Sequence, residues 1–182
     1  MSPVRRLSCA VTLLAALTLV AAPVQGQRMQ RTPYIHYVPT PDDVVRAMLD
    51  IAQVGPKDLL YDLGSGDGRI VIAAARRGAR GVGIELDPSL VDEANRNAKR
   101  AGVVDRVQFI VGDIFEADLS RASVVTLYLL TSINERLRPK LLRELAPGSR
   151  IVSHRFKMGE WEPAAGRRIG DKDVWLWRIP PK

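Results

Sequence analysis

The first clear pattern in the chain is a set of apolar residues at helical spacing that begins just after residue 40. The set consists of Val44, Val45, Met48, Leu49 and Ala52. It is preceded by Thr40-Pro41-Asp42-Asp43, which offers a capping hydroxyl, a proline for the first helical position and two acids for the first turn. The pattern predicts a helix over about residues 41–53 with Thr40 as its N-cap.

Short apolar runs then alternate with helical segments along the rest of the chain. Strands are predicted at Leu59–Leu63, Gly81–Leu86, Val107–Val111, Val124–Leu130, Ser149–Phe156 and Asp173–Ile179, with Arg167–Ile169 as the first arm of a closing hairpin. Helices are predicted at Gly68–Arg77 and from Asp87-Pro88 to Gly102. This alternation indicates an α/β fold with a mostly parallel sheet, helices on both faces and a C-terminal antiparallel hairpin.

One further helix is predicted before Gly148. Ser132-Ile133-Asn134-Glu135 has the form of a capping box, in which a serine and a glutamate cap the first turn. Pro139 is expected to break or restart this helix, because proline lacks the backbone N–H that a helix interior needs.

The N-terminal residues have the pattern of an export signal. Arg5 and Arg6 precede an uncharged, mostly apolar run, Leu7 to Ala22, and small residues at Val24 and Gly26 suit a cut after Gly26. We therefore expect a signal peptide at residues 1–26 and a single exported domain, periplasmic or extracytoplasmic, at 27–182. An uncleaved anchor, which would be the only membrane contact, and a cytoplasmic protein starting at Met29 are the alternatives.

Composition and charge narrow the function classes. The chain has 182 residues, of which 46% are apolar and 26% charged, so one globular domain is expected. Loss of the leader lowers the net charge from +7 to +5, because the leader contains Arg5 and Arg6 and no acid. The remaining basic residues are scattered, which favours a solvated surface over a nucleic-acid groove. Cys9, the only cysteine, lies in the leader, so we expect no disulfide and no metal site in the domain.

The candidate chemistry begins in the segment from Tyr61 to Ile70, which follows the first predicted strand. Its glycines have the spacing Gly64-x-Gly66-x-Gly68, and Arg69 stands where the dinucleotide fingerprint needs its last glycine. Such a turn lets the backbone approach a ligand closely. Because Asp62 and Asp67 flank it, the turn suits a cationic ligand better than a pyrophosphate.

Two more acids follow the next two strands. Glu85 stands 21 residues after Gly64, at the distance where an acid can bind ribose hydroxyls, and Asp113 ends the third strand. Each acid alone could equally be a helix cap or a turn residue. Acids at three successive strand ends, together with the glycine turn, indicate a binding site.

These residues resemble the cofactor motifs of class I S-adenosylmethionine-dependent methyltransferases, which have a Rossmann-like fold. The segments at 37–41, 126–130, 134, 137–141 and 152–154 further resemble the small protein-lysine methyltransferases of archaea and their mitochondrial relatives. The resemblance implies that Asp62, Gly64 and Gly66 hold the methionine part of S-adenosylmethionine, Glu85 its ribose, and Asp113 with Ile114 its adenine. The implied cofactor-binding set also includes Thr40, Ser65, Asp67, Gly68 and Leu86.

The same resemblance implies an acceptor site and a protein partner that presents a lysine. Tyr37, Tyr128, Asn134 and His154 are the polar candidates for positioning the acceptor, although packing, capping or a surface hydrogen bond would also explain each of them. Nucleic acid is disfavoured, because Tyr128-Leu129-Leu130 stands where base methyltransferases carry an Asn/Asp-Pro-Pro-Tyr motif. Arg155 and Lys157 count against a lysine-rich partner. A small-molecule or lipid acceptor and a noncatalytic binding module are the alternatives.

Overall fold

The computed structural model describes residues 37–181, so the expected leader and the alternative start at Met29 lie outside the described residues. In chain order the elements are α1 (Asp42–Ile51), β1 (Leu59–Leu63), α2 (Arg69–Arg76), β2 (Arg80–Glu85), α3 (Pro88–Ala101), β3 (Val107–Val111), β4 (Val124–Leu127), α4 (Thr131–Glu144), β5 (Arg150–His154), β6 (Ala165–Ile169) and β7 (Lys172–Arg178). Helices and strands alternate as far as β3, β4 follows β3 without an intervening helix, and α4 then leads into β5, as the sequence predicts.

The strands form one seven-stranded sheet in the order β3-β2-β1-β4-β5-β7-β6. Strands β1 to β5 pair in parallel, whereas β7 runs antiparallel to both β5 and β6. The strand order reverses between β1 and β4, and the carboxyl ends of the five parallel strands meet at one edge of the sheet. Open α/β sheets bind ligands at this place.

Apolar side chains cover both faces of the sheet. Residues of α1, α2 and α3 pack into one buried cluster, and residues of α4 pack with Leu119, Met158 and Trp177 into another. The predicted α/β architecture, with helices on both faces and a C-terminal antiparallel pair, is therefore confirmed. The helix that follows Asp87 is also confirmed, with Asp87 as N-cap and Gly102 as C-cap.

The predicted cap of α1 is wrong. The N-cap is Pro41, and no side chain caps the first turn. Thr40 is buried, and its Oγ1 lies 3.3 Å from Nδ1 of His154, which is distant in the chain. The spacing of apolar residues identified this helix correctly, but Thr40 bonds to the sheet instead of to its own helix.

The predictions for α4 are also wrong at two points. The helix begins at Thr131 with Leu130 as its N-cap and no side-chain cap, so Ser132 lies inside the helix. The helix then continues through Pro139, which is exposed. Leu137 and Leu141 are fully buried on the opposite side. Burial of two leucines contributes about 3–6 kcal/mol, which offsets a proline cost of about 3 kcal/mol.

β2 and β7 end one residue earlier than predicted, and two other strands end two or three residues earlier. β4 ends at Leu127 instead of Leu130, and β5 ends at His154 instead of Phe156. The early end of β5 has a backbone cause, because Arg155 has a φ of 68°, which a β-strand cannot contain.

Candidate active site

The glycine turn joins β1 to α2 and is fastened to the end of β2. The backbone N–H groups of Gly64 and Ser65 both donate to the carbonyl of Ile84, at 2.9 and 3.0 Å. Glu85 Oε2 accepts the N–H of Gly66 at 2.9 Å, and Glu85 Oε1 accepts the N–H of Leu86 at 2.8 Å. Glu85 therefore holds the glycine turn beside the end of β2, in addition to the ribose contact expected from the sequence.

Asp62 is a buried carboxylate at the end of β1. It accepts a hydrogen bond from Thr126 Oγ1 on β4 at 2.7 Å. The pKa of Asp62 is raised to about 7, mainly by burial and in addition by the nearby carboxylates of Glu85 and Asp67, against the lowering effect of the Thr126 bond. A cation placed here would stabilise the ionised form of Asp62. Thr126 had no predicted role, and only its place beside Asp62 in the sheet reveals one.

Arg69 forms a salt bridge with Asp67 of the glycine turn and links the turn to the segment before α1 by a hydrogen bond. Arg69 Nη2 lies 2.7 Å from Asp67 Oδ2, and Arg69 Nη1 donates to the carbonyl of Thr40 at 3.0 Å. The ring of Tyr37 lies over Gly66, and the Asp67 carboxylate is near enough to act on the Tyr37 phenol. Burial and Asp67 raise the pKa of Tyr37 to about 12, so its phenol stays neutral. Arg69 had no predicted function, although its departure from the dinucleotide pattern marked its position.

His154 and Tyr128 form an aromatic pair at the ends of β5 and β4. Their ring centroids are 3.9 Å apart, and His154 is almost fully buried. Burial lowers the pKa of His154 to about 4, and the positive charges of Lys172 and Arg155 act in the same direction. The imidazole is therefore neutral near pH 7. Its Nε2 atom is buried and has no hydrogen-bond partner among the described residues.

Asn134 and Ser65 lie deeper than a direct ligand contact would suggest. Asn134 is fully buried, and its Nδ2 lies 3.2 Å from the carbonyl oxygen of Phe156 and 3.4 Å from that of Lys157. Ser65 Oγ faces β2, and a Cβ added to Gly83 would lie 2.6 Å from this oxygen. Ser65 Oγ has no hydrogen-bond partner among residues 37–181. Asn134 thus holds the backbone of Phe156 and Lys157, just after β5, from the interior of the protein.

The predicted adenine-side residues lie at the ends of β2 and β3. In the sheet, β2 lies next to β1, and β3 lies next to β2. Leu86 is 54% exposed, whereas Ile114 is buried. Asp113 is exposed, and its Oδ1 accepts the N–H of Phe115 at 2.8 Å. Gly68 is the N-cap of α2, and its φ of 79° is left-handed. The structure therefore brings the predicted cofactor residues together along one sheet edge.

Neither a metal cluster nor a membrane-crossing helix occurs within residues 37–181. No group of three or more His, Cys, Asp or Glu side chains in this range is arranged to hold a metal ion. None of the described helices combines the length and the apolar character that crossing a membrane requires.

The chain is similar to a known protein family and to individual members of it. The family model of the ANTKMT methyltransferase domain matches residues 62–165. A protein-lysine N-methyltransferase of Saccharolobus islandicus (strain REY15A) is 46% identical over 148 residues, which are 80% of this chain and 92% of that protein. The adenine nucleotide translocase lysine N-methyltransferase of Mus musculus is 40% identical over 121 residues, 66% of this chain and 53% of that protein.

A solved structure is also similar. It is that of an RNA methyltransferase from Salinibacter ruber in complex with S-adenosyl-L-homocysteine. The two chains are 58% identical in sequence, and their structures agree with a TM-score of 0.79 over 80% of this chain and 95% of that one. The prediction of a class I, S-adenosylmethionine-dependent methyltransferase is confirmed at the level of the family. The family model and these identities show that this chain is an enzyme that belongs to the ANTKMT methyltransferase family.

Proposed function

We propose that this methyltransferase acts on the ε-amine of a lysine in a protein, with S-adenosylmethionine as methyl donor. The observation that carries the methyl donor is the charge pattern of the site: Asp62 is buried with the carboxylates of Glu85 and Asp67 nearby, and a cationic cofactor fits this place. The observation that carries the acceptor is the aromatic pair of Tyr128 and His154, whose ring centroids are 3.9 Å apart. The relatives named as lysine methyltransferases support the choice of a lysine.

The residues at the strand ends fit the parts of S-adenosylmethionine. Asp62 and the turn at Gly64 and Gly66 would hold the methionine part with its ammonium group. Glu85 would bind the ribose, and the apolar surfaces of Leu86 and Ile114 beside Asp113 would enclose the adenine. When bound, the cofactor supplies an activated methyl group on a sulfonium.

Among residues 37–181, no strong base lies on the acceptor side of the site. A lysine must lose a proton before it can attack, which costs about 4.6 kcal/mol at pH 7 from a reference pKa near 10.4. With a pKa of about 4, His154 is too weak a base to remove that proton. Tyr128 and His154 instead provide an uncharged aromatic wall. Partial desolvation of the amine against this wall lowers the pKa of the lysine, and positioning does most of the remaining work.

An RNA acceptor is the second candidate, because the similar structure from Salinibacter ruber is that of an RNA methyltransferase. The residues after β4 count against it in this chain. Base methyltransferases place an Asn/Asp-Pro-Pro-Tyr motif there, whereas this chain has Tyr128-Leu129-Leu130. Leu129 is buried, and its Cδ2 would lie 3.1 Å from a Cβ at Gly64, so it packs under the glycine turn. We therefore favour the lysine acceptor.

The experiment that tests the proposal incubates residues 27–182 with labelled cofactor and host extract, separated into protein, RNA, and lipid plus small-molecule fractions. At a cofactor concentration below the wild-type Kd, we expect label in the protein fraction, about ten- to a hundredfold less label with Glu85→Ala, and normal labelling with the surface variant Glu93→Ala. Label confined to RNA would support the second candidate. Tight cofactor binding without any labelling would support a noncatalytic module.

We further propose that the domain is exported and that residues 1–26 are removed as a signal peptide. The basic start and the apolar run of Leu7 to Ala22 support this proposal. On this view the membrane is contacted only if the leader stays uncleaved.

A further inference from the structure

The chain turns sharply just after His154. The N–H of Phe156 donates to the carbonyl of His154 at 2.8 Å, and Arg155 between them has a φ of 68°. A hydrogen bond across three residues with a positive central φ marks the strained form of γ-turn, which is rare. Arg155 has a Cβ, so this conformation strains its backbone. Strain of this kind persists only where surrounding contacts impose it.

Hydrogen bonds from two sides impose this turn. On the β7 side, Arg155 N–H donates to the carbonyl of Asp173 at 2.6 Å, and Trp175 Nε1 donates to the carbonyl of Arg155 at 3.2 Å. On the α4 side, Asn134 Nδ2 donates to the carbonyl of Phe156 at 3.2 Å. Ser153 Oγ, at the end of β5, donates to the same carbonyl at 2.6 Å. Asn134 is the one member of this set that lies on a helix, and it ties the turn to α4.

The turn determines where two aromatic rings stand. It follows His154 directly and carries Phe156, and both rings contact Tyr128. The His154 and Tyr128 centroids are 3.9 Å apart, and the Phe156 and Tyr128 rings stack at 6.2 Å with an angle of 25°. Tyr128 therefore contacts the residues on both sides of the strained Arg155, namely His154 before it and Phe156 after it.

We infer that Asn134 is a positioning residue of the acceptor site: it holds the strained turn at Arg155 so that His154 and Phe156 keep Tyr128 in place. This inference rests on the proposed function, because the Tyr128 wall is where the acceptor is proposed to bind. Asn134 is fully buried, so it acts through the turn and does not touch the acceptor. Its carbonyl oxygen has no partner among the described residues, so its amide N–H groups are what fix its orientation.

The test combines loss of the clamp with relief of the strain. Asn134→Ala should lower kcat/KM for the acceptor about tenfold, the equivalent of about one lost hydrogen bond, and leave the Kd of the cofactor unchanged. Adding Arg155→Gly, which accepts a positive φ without strain, should restore most of the activity. Adding Arg155→Ala, which removes the same charge but keeps the Cβ, should restore none.

A second measurement is independent of methyl transfer. In NMR spectra of the unliganded protein, Asn134→Ala should speed hydrogen exchange of the Trp175 indole N–H and shift the Tyr128 ring resonances. Arg155→Gly should reverse both changes. If Asn134→Ala does not fold, Ser153→Ala removes the other bond to Phe156 and should give the same signature.

Three results would overturn the inference. The first is unchanged acceptor kinetics and unchanged spectra in Asn134→Ala. The second is equal rescue by glycine and alanine at position 155, which would point to the arginine charge. The third is a loss that neither variant rescues. If the wild type methylates no protein lysine, the proposed function fails, and the NMR arm still decides whether Asn134 holds the turn and Tyr128.

Discussion

The ring of Tyr37 lies directly over Gly66: a Cβ at residue 66 would stand 2.1 Å from Tyr37 Cε2. Gly66 also has a φ of 51°, in the left-handed region. The segment before α1 and the glycine turn therefore meet at a point where no side chain other than that of glycine fits. This contact explains why the turn needs glycine at its centre, beyond the general need for a close approach to a ligand.

The first prediction follows from this contact. Gly66→Ala should weaken cofactor binding at least tenfold and destabilise the domain, because the new methyl displaces Tyr37 and strains the backbone. Gly102→Ala is the matched control, since Gly102 has a φ of 69° with no atom near its Cβ position. It should cost only the backbone strain of about 1–2 kcal/mol, with unchanged cofactor affinity. Calorimetric titration and thermal unfolding measure both effects.

The double variant Tyr37→Ala/Gly66→Ala separates collision from strain. Its Tm should lie above that of Gly66→Ala, because the colliding ring is gone. A lower Tm for the double variant would show that Tyr37 and Gly66 do not meet as described.

The second prediction concerns Glu85. Glu85→Ala removes the acceptor for the Gly66 N–H and the proposed ribose contact, so cofactor affinity should fall about ten- to a hundredfold, the loss expected for hydrogen bonds to a charged group. Glu93→Ala, an exposed acid on α3, should bind normally. Unchanged affinity in a folded Glu85→Ala protein contradicts the assignment.

The third prediction uses the pKa of Asp62. Its pKa is about 7 in the folded protein and 3.8 in an unperturbed chain, so the folded state binds the proton more tightly. Through this group, the stability of the unliganded domain falls as the pH rises from about 4 to 7, and the cost is complete above pH 7. Asp62→Asn keeps an oxygen for Thr126 but no charge.

Asp62→Asn should therefore raise the Tm by several degrees at pH 8 and have little effect at pH 4. The same variant should bind the cationic cofactor more weakly at pH 8. Thermal scans of both proteins across this range decide the matter, and a variant that is less stable than wild type at pH 8 would contradict the role given to the Asp62 charge.

The fourth prediction concerns the N-terminus. Protein recovered from the native host should begin at or near Gln27 and occur in an extracytoplasmic fraction. N-terminal sequencing after cell fractionation checks this outcome. A cytosolic protein that begins at Met1 or Met29 would contradict it.

The sequence predicted the elements best where local signals agree. The helix α3 has Asp87 as N-cap, Pro88 at its first position and Gly102 as C-cap. Each of these residues affects only the backbone a few positions away in the sequence, so its effect can be recognised from the sequence alone. The acids at the ends of β1, β2 and β3 could be placed together because a parallel sheet brings its carboxyl ends to one edge.

The sequence failed where a long-range contact outweighs a local preference. Thr40 has the chemistry of an N-cap but bonds to His154, which is 114 residues away. Pro139 should end a helix, but the burial of Leu137 and Leu141 carries α4 past it. The only local bond that imposes the strained turn at Arg155 among those described is that of Ser153, and the others come from α4 and β7. At Thr40, Pro139 and Arg155, tertiary contacts therefore determine the local structure.

The proposed function is tested best by identifying the atom that receives the methyl group. Protein labelled by residues 27–182 and cofactor carrying a deuterated methyl group is digested and analysed by mass spectrometry, with Glu85→Ala as the control that binds the cofactor weakly. At a cofactor concentration below the wild-type Kd, the proposed function predicts deuterated methyl on a lysine ε-nitrogen with the wild type and about ten- to a hundredfold less with Glu85→Ala. Deuterated methyl found solely on nucleotides, lipids or small molecules, with none on lysine, would contradict it.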